Sequence, residues 1–209
     1  MAWTANTAFS TVLDEFYDSG FDYIRDDGKE ARAKRWVNQS YQELCGLEKW
    51  PFLYTTITGP APKALPNLGQ ILSVVDTVED SRLVETDESF LADIDPELTE
   101  TAQSSFYYLT MVSEVPTLNV WPVSTNNLSI HYFQSPNELS ADADELIVPN
   151  QFIDVVVLGA VRRGMMDGTD TQAQVQLVSQ ELQGRIDSMR KSILPKPQYQ
   201  NIQFYSEDW

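Results

Sequence analysis

Apolar residues recur with helical spacing near the start of the chain. They fall three and four residues apart, which places them on one face of a helix. That face comprises Phe9, Val12, Leu13, Phe16 and Tyr17. Gly20 is expected to close this helix in a left-handed conformation. A second helical pattern begins near residues 28–30, runs to Cys45, is interrupted at Gly46 and stops before Pro51.

Between about residues 51 and 135 the pattern changes to that of β-strands, with alternating, β-branched and aromatic positions. Five strands are predicted, at residues 52–58, 70–77, 105–112, 117–123 and 128–133. The links between the last three are short and rich in turn-forming residues, so these strands are expected to form an antiparallel meander. A short helix at residues 88–93 is compatible with the segment between the second and third strands.

Helical spacing returns after Pro136. Residues 152–161 are rich in valine and suit either a buried strand or a buried helix; we favour the helix because the apolar pattern continues beyond ordinary strand length. Thr169 or Asp170 is predicted to cap the last helix. The apolar stripe of that helix comprises Val175, Val178, Leu182, Ile186, Met189 and Ile193.

These patterns predict an α+β fold. The N- and C-terminal helices, at residues 1–50 and 136–195, would form a helical bundle, with an inserted antiparallel β domain of about five strands at 51–135 and an extended C-terminal arm at 196–209. The arm follows two prolines, yet it carries large apolar groups: Tyr199, Ile202, Phe204, Tyr205 and Trp209. Either these side chains fold back onto their own domain, or the arm docks in a groove of a neighbouring protein.

The chain of 209 residues has 31 acidic and 14 basic residues, which gives a net charge of −17. Ten of the acids lie between residues 76 and 100, whereas residues 31–50 and 162–191 are mildly basic. This balance argues against a protein whose main task is to grip nucleic acid or an anionic membrane, because either would need a basic face. The charged blocks are either solvated surface or two complementary sides that suit head-to-tail contacts between copies.

The sequence carries no recognisable catalytic or metal-binding pattern. His131 is the single histidine, and Cys45 lies on an apolar helix stripe, where a packed thiol is expected. The acid clusters at 93–95 and 142–145 lack the glycine and distal glutamate of a calcium loop. The glycines fit no phosphate-binding loop, and no apolar run is long enough to span a bilayer. We therefore expect no enzyme, no cofactor, no metal and no membrane association.

The order of these elements resembles that of head-to-tail connector (adaptor or neck) proteins of tailed bacteriophages, a group that includes tail tubular protein A and the portal adaptors. The resemblance rests on order and spacing over about residues 30–190. It is carried by the segments at 46–52, 69–76, 95–96, 105–108, 118–122, 128–132 and 136–163.

The resemblance implies a structural virion protein assembled in the host cytoplasm. Such a protein forms a ring, usually of twelve copies, that connects the portal of the capsid to a neck or tail protein and lets viral double-stranded DNA pass without sequence-specific binding. It also implies that the apolar residues of the arm dock on the portal. The last helix would pack between copies of the ring through Val175, Val178, Leu182, Ile186 and Met189. Two alternatives remain: another phage neck, tail or baseplate protein, or an acidic cellular protein-binding module.

Overall fold

The computed structural model describes residues 7–21, 29–168 and 171–194. Its fold is mixed α+β with largely antiparallel sheets, as the sequence predicts. The described residues form five α-helices: α1 (Phe9–Phe16), α2 (Glu30–Leu47), α3 (Glu88–Ala92), α4 (Ile153–Asp167) and α5 (Gln172–Ile193). They also form strands β1 (Thr7–Ala8), β2 (Tyr54–Gly59), β3 (Lys63–Ala64), β4 (Leu68–Asp76), β5 (Ser81–Arg82), β6 (Val84–Glu85), β7 (Phe106–Val112), β8 (Val115–Trp121), β9 (Leu128–Gln134) and β10 (Glu145–Leu146).

Helix α4 is the central helix, because α1, α2 and α5 all pack against it. Its valine-rich sequence is buried on several sides, which confirms the choice of a helix over a strand for this segment. Helices α4 and α2 approach each other closely at Gly159, where an added Cβ would overlap Ser40 Oγ. The Ser40 hydroxyl donates a hydrogen bond of 2.8 Å to the carbonyl oxygen of Val156. A glycine in α4 therefore sets the distance between these two helices.

One hydrophobic core joins the helices that precede the β region to those that follow it. It includes the predicted stripe of α1, the buried face of α2, most of α4 and the second half of α5. Trp50 and Phe52 stack at the exit from α2, with ring centroids 5.9 Å apart, and the Trp50 indole donates to the Leu44 carbonyl oxygen. Gly20 has φ 103°, so the predicted left-handed conformation after α1 is confirmed.

Two four-stranded sheets lie between Trp50 and Ser135. Their strand orders are β2-β9-β4-β5 and β3-β8-β7-β6, and all pairs are antiparallel except β6 with β7. The inward side chains of both sheets form a shared core, including Val74 and Ile130 from the first and Leu118 and Val120 from the second. The outer side of the second sheet is covered by α3, through Leu91.

The predicted meander is wrong in its last strand. β7 and β8 form the expected hairpin, with Leu109 opposite Leu118. β9, however, lies in the other sheet between β2 and β4. Alternation in β9 buries Ile130 and Tyr132 in either arrangement, so the pattern determines which face is buried but not which sheet receives the strand.

The end of α2, the start of α5 and the number of strands also differ from the predictions. Helix α2 continues through Gly46 to Leu47 instead of being interrupted there. The cap of α5 is Thr171, not Thr169 or Asp170, which lie outside the described residues. The β region contains eight strands rather than five, because the two-residue strands β3, β5 and β6 are too short to show a period.

Candidate interaction surfaces

Helix α5 divides into a docked second half and an exposed first half. Leu182, Ile186 and Met189 are buried in the chain's own core, while Val175 and Val178 are only half-buried. With Val178, which packs against the same core, four of the five residues assigned to ring packing contact their own protomer. The large apolar side chain that α5 exposes, Leu177, lies in the first half of the helix.

The first half of α5 carries no charge. Residues 171–180 include no acidic or basic residue, although charged residues make up 22% of the chain. Leu177 lies on the outward face of this segment and is 67% exposed. A charge-free exposed helix with an outward leucine has the composition of an interface core, where charged residues are depleted.

A capping box fixes the start of this segment. The side chain of Thr171 accepts a hydrogen bond from the backbone of Gln174, and the Gln174 side chain accepts one from the Thr171 backbone at 3.0 Å. Both bonds satisfy backbone donors that the first turn of a helix leaves unpaired. The exposed end of α5 is therefore a defined helix start.

The apolar residues of the arm all lie beyond Leu194, where the described residues end. They are Tyr199, Ile202, Phe204, Tyr205 and Trp209. Their docking role stays a prediction from the sequence.

Two arginines of α4 converge on one carboxylate of α2. Arg163 donates to Glu43 at 2.7 Å and Arg162 donates to it at 3.4 Å. Arg163 also reaches the side-chain oxygen of Gln39. The Nε atoms of both arginines are buried and have no hydrogen-bond partner among the described residues. This cluster therefore has more donors than acceptors and a net positive charge.

A pocket of about 260 Å³ opens beside this cluster, between α2 and the end of α4. We call it the arginine pocket; it is lined by Arg35, Trp36, Gln39, Arg163, Met166 and Asp167. The Trp36 indole donates to Asp167 at 3.1 Å, which holds that carboxylate at the wall. Met166 is 66% exposed. The pocket thus combines guanidinium groups with apolar surface.

The acidic block at residues 76–100 is mostly exposed, with Asp76 as a buried exception. Burial raises the pKa of Asp76, but hydrogen bonds from the Asn126 side chain and from the backbone amides of Val78 and Glu79 outweigh it and leave the pKa below its usual value. This carboxylate ties the end of β4 to the link that crosses between the sheets.

Helix α3 and the turn that follows it carry apolar side chains within the acidic block. Phe90, in the helix, is 52% exposed, and Ile94, two residues beyond the end of the helix at Ala92, is 55% exposed. Asp87 and Asp93 lie three residues to either side of Phe90, on the same side of the helix, and are also exposed. We call this surface the acidic knob.

The single histidine and the single cysteine have structural roles in the described part of the chain. The ring of His131 lies on the outer side of the first sheet, as its alternation predicts, and bonds to the hydroxyls of Tyr54 (2.6 Å), Thr56 (3.0 Å) and Ser129 (3.2 Å). Cys45 is 3% exposed, and burial raises the pKa of its thiol to about 12. The packed-thiol prediction is confirmed.

The acid cluster at 142–145 is satisfied by protein donors. Asp142 pairs with Lys34 at 2.8 Å, and Asp144 accepts from the backbone amides of Ser140 and Ala141. Across residues 7–21, 29–168 and 171–194, no group of side chains is arranged to hold a metal ion. Within the same ranges, no helix combines the length and apolar character that a bilayer crossing requires.

Sequence reasoning found the basic character of α2 and α4 but missed the arginine pocket and the acidic knob. Exposed Phe90 and Met166 give no periodic signal, since one apolar residue on a polar surface is common. The ten-residue stretch without charge at 171–180 was the visible signal for the free half of α5.

Comparison with known protein families supports the resemblance to phage adaptors. The sequence model described as SU10 adaptor protein matches residues 7–201. No curated protein matches the chain. The family match agrees with a structural rather than an enzymatic role; the closer likeness to tail tubular protein A stays a prediction.

Proposed function

We propose a ring-forming role for this chain, which belongs to the SU10 adaptor protein family and is therefore a structural adaptor protein of phage particles. It would form a ring between the portal of the capsid and a neck or tail protein. Twelve copies are expected. The helices at residues 1–50 and 136–195 would form the bundle that makes the body of the ring. The segment at 51–135 would be an inserted domain, and residues 196–209 would be the arm that reaches the portal.

The observation that carries this proposal is the free half of α5. Its second half is docked on the chain's own core through residues such as Leu182 and Met189, and Val178 of the first half also packs against that core. The first half presents Leu177 and a run of uncharged side chains to solvent. A helix of this composition is stable in a monomer but matches the charge-depleted centre of a protein interface. Adjacent copies in a ring supply such an interface.

The charge distribution supports a conduit that does not hold DNA. Phosphates are attracted by basic grooves, and each contact with Lys or Arg strengthens binding. The exposed acids of the block at 76–100 have the opposite sign. A lumen lined by such surface would repel the duplex and let it slide.

Ring assembly is tested with purified protein and purified portal. The wild-type chain is expected to add to the portal as a ring of matching symmetry, seen by electron microscopy and by mass measurement. Leu177→Glu places a charge at the centre of the proposed contact and is expected to abolish ring formation while leaving the circular dichroism and melting temperature of the monomer unchanged.

Ser188→Glu is the matched control. Ser188 is exposed on the same outward face of α5, but in the half where charged residues are native. This variant is expected to assemble like the wild type. A wild-type chain that stays monomeric and does not bind the portal would contradict the proposed function. Equal assembly of Leu177→Glu and Ser188→Glu would show that the first half of α5 does not take part in the contact between copies.

The proposed arm needs a separate test. Deleting residues 196–209 removes the apolar anchors Tyr199, Phe204, Tyr205 and Trp209 together with Ile202. The deletion is expected to abolish attachment to the portal and to leave the fold intact, which the circular dichroism of the shortened chain would report. Unchanged attachment in a pull-down with portal would contradict the docking role.

A further inference from the structure

We propose that the ring is closed by a heterologous contact in which the acidic knob of one copy enters the arginine pocket of the next. This inference rests on the proposed function, since it adds a second contact between copies of the ring to the one made by the first half of α5. Phe90 of one protomer would fill the pocket beside Arg35 and Met166 of its neighbour, with Asp93 paired to the guanidinium groups.

The arginine pocket has the chemistry of a receptor for an acidic, apolar group. Arg163 is held by Glu43, yet its Nε has no partner within the described residues, and Arg35 is exposed at the rim. Met166 contributes a flexible apolar wall. Arginine and methionine both make favourable contacts with aromatic rings.

The acidic knob has the complementary chemistry. An exposed phenyl group is the kind of anchor that fills a pocket at the centre of an interface. Phe90 is flanked by exposed Asp87 and Asp93, three residues to either side on the same side of the helix, and Ile94 extends the apolar surface beyond the end of α3. A pocket of about 260 Å³ is large enough for a phenyl ring.

Charge favours a second copy of this chain as the occupant. Each copy has a net charge of −17, so two copies repel at long range. Contact therefore requires that a local positive surface meet a local negative one. The chain supplies both, on different elements: the pocket on α2 and α4, and the knob on α3. Two different patches on each copy make the contact heterologous, and a heterologous contact closes into a ring when the rotation between successive copies adds up to a full turn.

The test uses two full-length variants with opposite charge reversals. Arg35→Glu changes an exposed residue of the pocket, and Asp93→Arg changes an exposed residue of the knob. Each variant alone is expected to lose ring assembly by about tenfold or more in apparent affinity. An equimolar mixture is expected to assemble. A ring of alternating variants sets the two substituted side chains, now of opposite charge again, against each other at one contact and the native Arg35 against the native Asp93 at the next.

Control variants carry the same charge changes elsewhere. Lys49→Glu follows α2 away from the pocket, and Glu114→Arg lies in the turn between β7 and β8; both positions are exposed. Both are expected to assemble normally. Phe90→Ala removes the anchor without changing charge and is expected to weaken assembly, with its melting temperature reporting that the monomer is folded.

The possible outcomes separate this inference from the proposed function. Rescue in the mixture supports the contact. Normal assembly of Arg35→Glu and Asp93→Arg, while the wild type forms rings on the portal, overturns the contact and leaves the ring function standing. Loss of assembly in Arg35→Glu alone, without rescue by Asp93→Arg, overturns the contact in favour of another acidic partner such as the portal or DNA. A wild-type chain that forms no ring contradicts the proposed function itself.

Discussion

Asp76 is a buried carboxylate that holds two distant parts of the chain together. Its oxygens accept from the backbone amides of Val78 and Glu79 and, at 2.9 Å, from the side-chain amide of Asn126. Asp76→Asn would set an amide group against the amide of Asn126, leaving a buried donor without an acceptor. We expect a loss of about 1–3 kcal/mol in the free energy of unfolding, measured by urea denaturation at pH 7.

The effect of Asp76 should depend on pH in a defined direction. Its folded-state pKa is lowered, so its contribution to stability is present above the unfolded pKa and is lost as the pH falls through the folded value. The difference in the free energy of unfolding between wild type and Asp76→Asn should therefore become smaller below about pH 4. Asp80→Asn, an exposed change of the same charge, is the control and should have little effect at either pH. A gap that widens in acid would contradict this account.

Cys45 is expected to be inert in the folded protein. The thiolate is the reactive form, and burial raises the pKa of this thiol to about 12 while leaving only 3% of the residue exposed. A thiol reagent at pH 8 should label the native protein slowly and the urea-unfolded protein quickly, as read by intact mass. Rapid labelling of the native form would show that the end of α2 opens readily.

At the residue scale, the sequence predicts what depends on local period. Cys45 and the outward face of His131 follow from helical and alternating spacing. The role of Asp76 does not follow from local spacing, because its partner Asn126 is far away in sequence. The exposure of Phe90 does not follow from local spacing either, since it depends on which sheet α3 covers.

At the scale of elements, two glycines provide a matched test of helix packing. An added Cβ at Gly159 would meet Ser40 Oγ between α2 and α4, whereas at Gly184 in α5 it would meet nothing within 4 Å. Gly159→Ala should destabilise the fold by about 1–3 kcal/mol through overpacking. Gly184→Ala should stabilise it by up to about 1 kcal/mol, because alanine is the better helix former.

Ser40→Ala provides a check on this interpretation. It removes the hydroxyl that lies closest to the added methyl group but keeps the Ser40 Cβ, which would still be 3.1 Å away. The double variant Ser40→Ala/Gly159→Ala should therefore regain part of the lost thermal stability. A stable Gly159→Ala would show that the two helices separate easily, and no recovery in the double variant would show that the Ser40 hydroxyl is not the cause of the lost stability.

The elements themselves were predictable where one segment carries a long period. The helical stripe of α5 and the alternation of β9 are both found as expected. The sheet to which β9 belongs was not predictable, because its partners β2 and β4 are separated from it by most of the β region. The cap at Thr171 was missed because a threonine, an aspartate and a second threonine precede α5 within three residues, and only geometry selects among them.

At the scale of the whole molecule, burial and charge decide which surfaces are free for partners. The sequence predicts a single apolar surface along α5, yet Leu182, Ile186 and Met189 of that surface face the chain's own core. A stripe shows that a helix packs on something, but not whether that partner lies in the same protomer. The net charge likewise does not show that Arg35 and Arg163 gather beside one pocket.

Two electrostatic effects with different ranges act on the proposed ring, and they respond differently to salt. Repulsion between copies of charge −17 acts over tens of ångströms, whereas the proposed pairing of Asp93 with Arg35 acts at contact. The Debye length falls from about 30 Å at 0.01 M to about 8 Å at 0.15 M and about 3 Å at 1 M. Moderate salt therefore removes the repulsion first, and only high salt weakens the pair. We expect ring assembly, measured by mass photometry, to rise and then fall with ionic strength, and the fall to be weaker in the double variant Arg35→Gln/Asp93→Asn, which keeps the Phe90 anchor but lacks the charged pair. A steady decline from the lowest salt would mean that local attraction outweighs the net charge throughout, and a steady rise would mean that charged pairs contribute nothing to the seam.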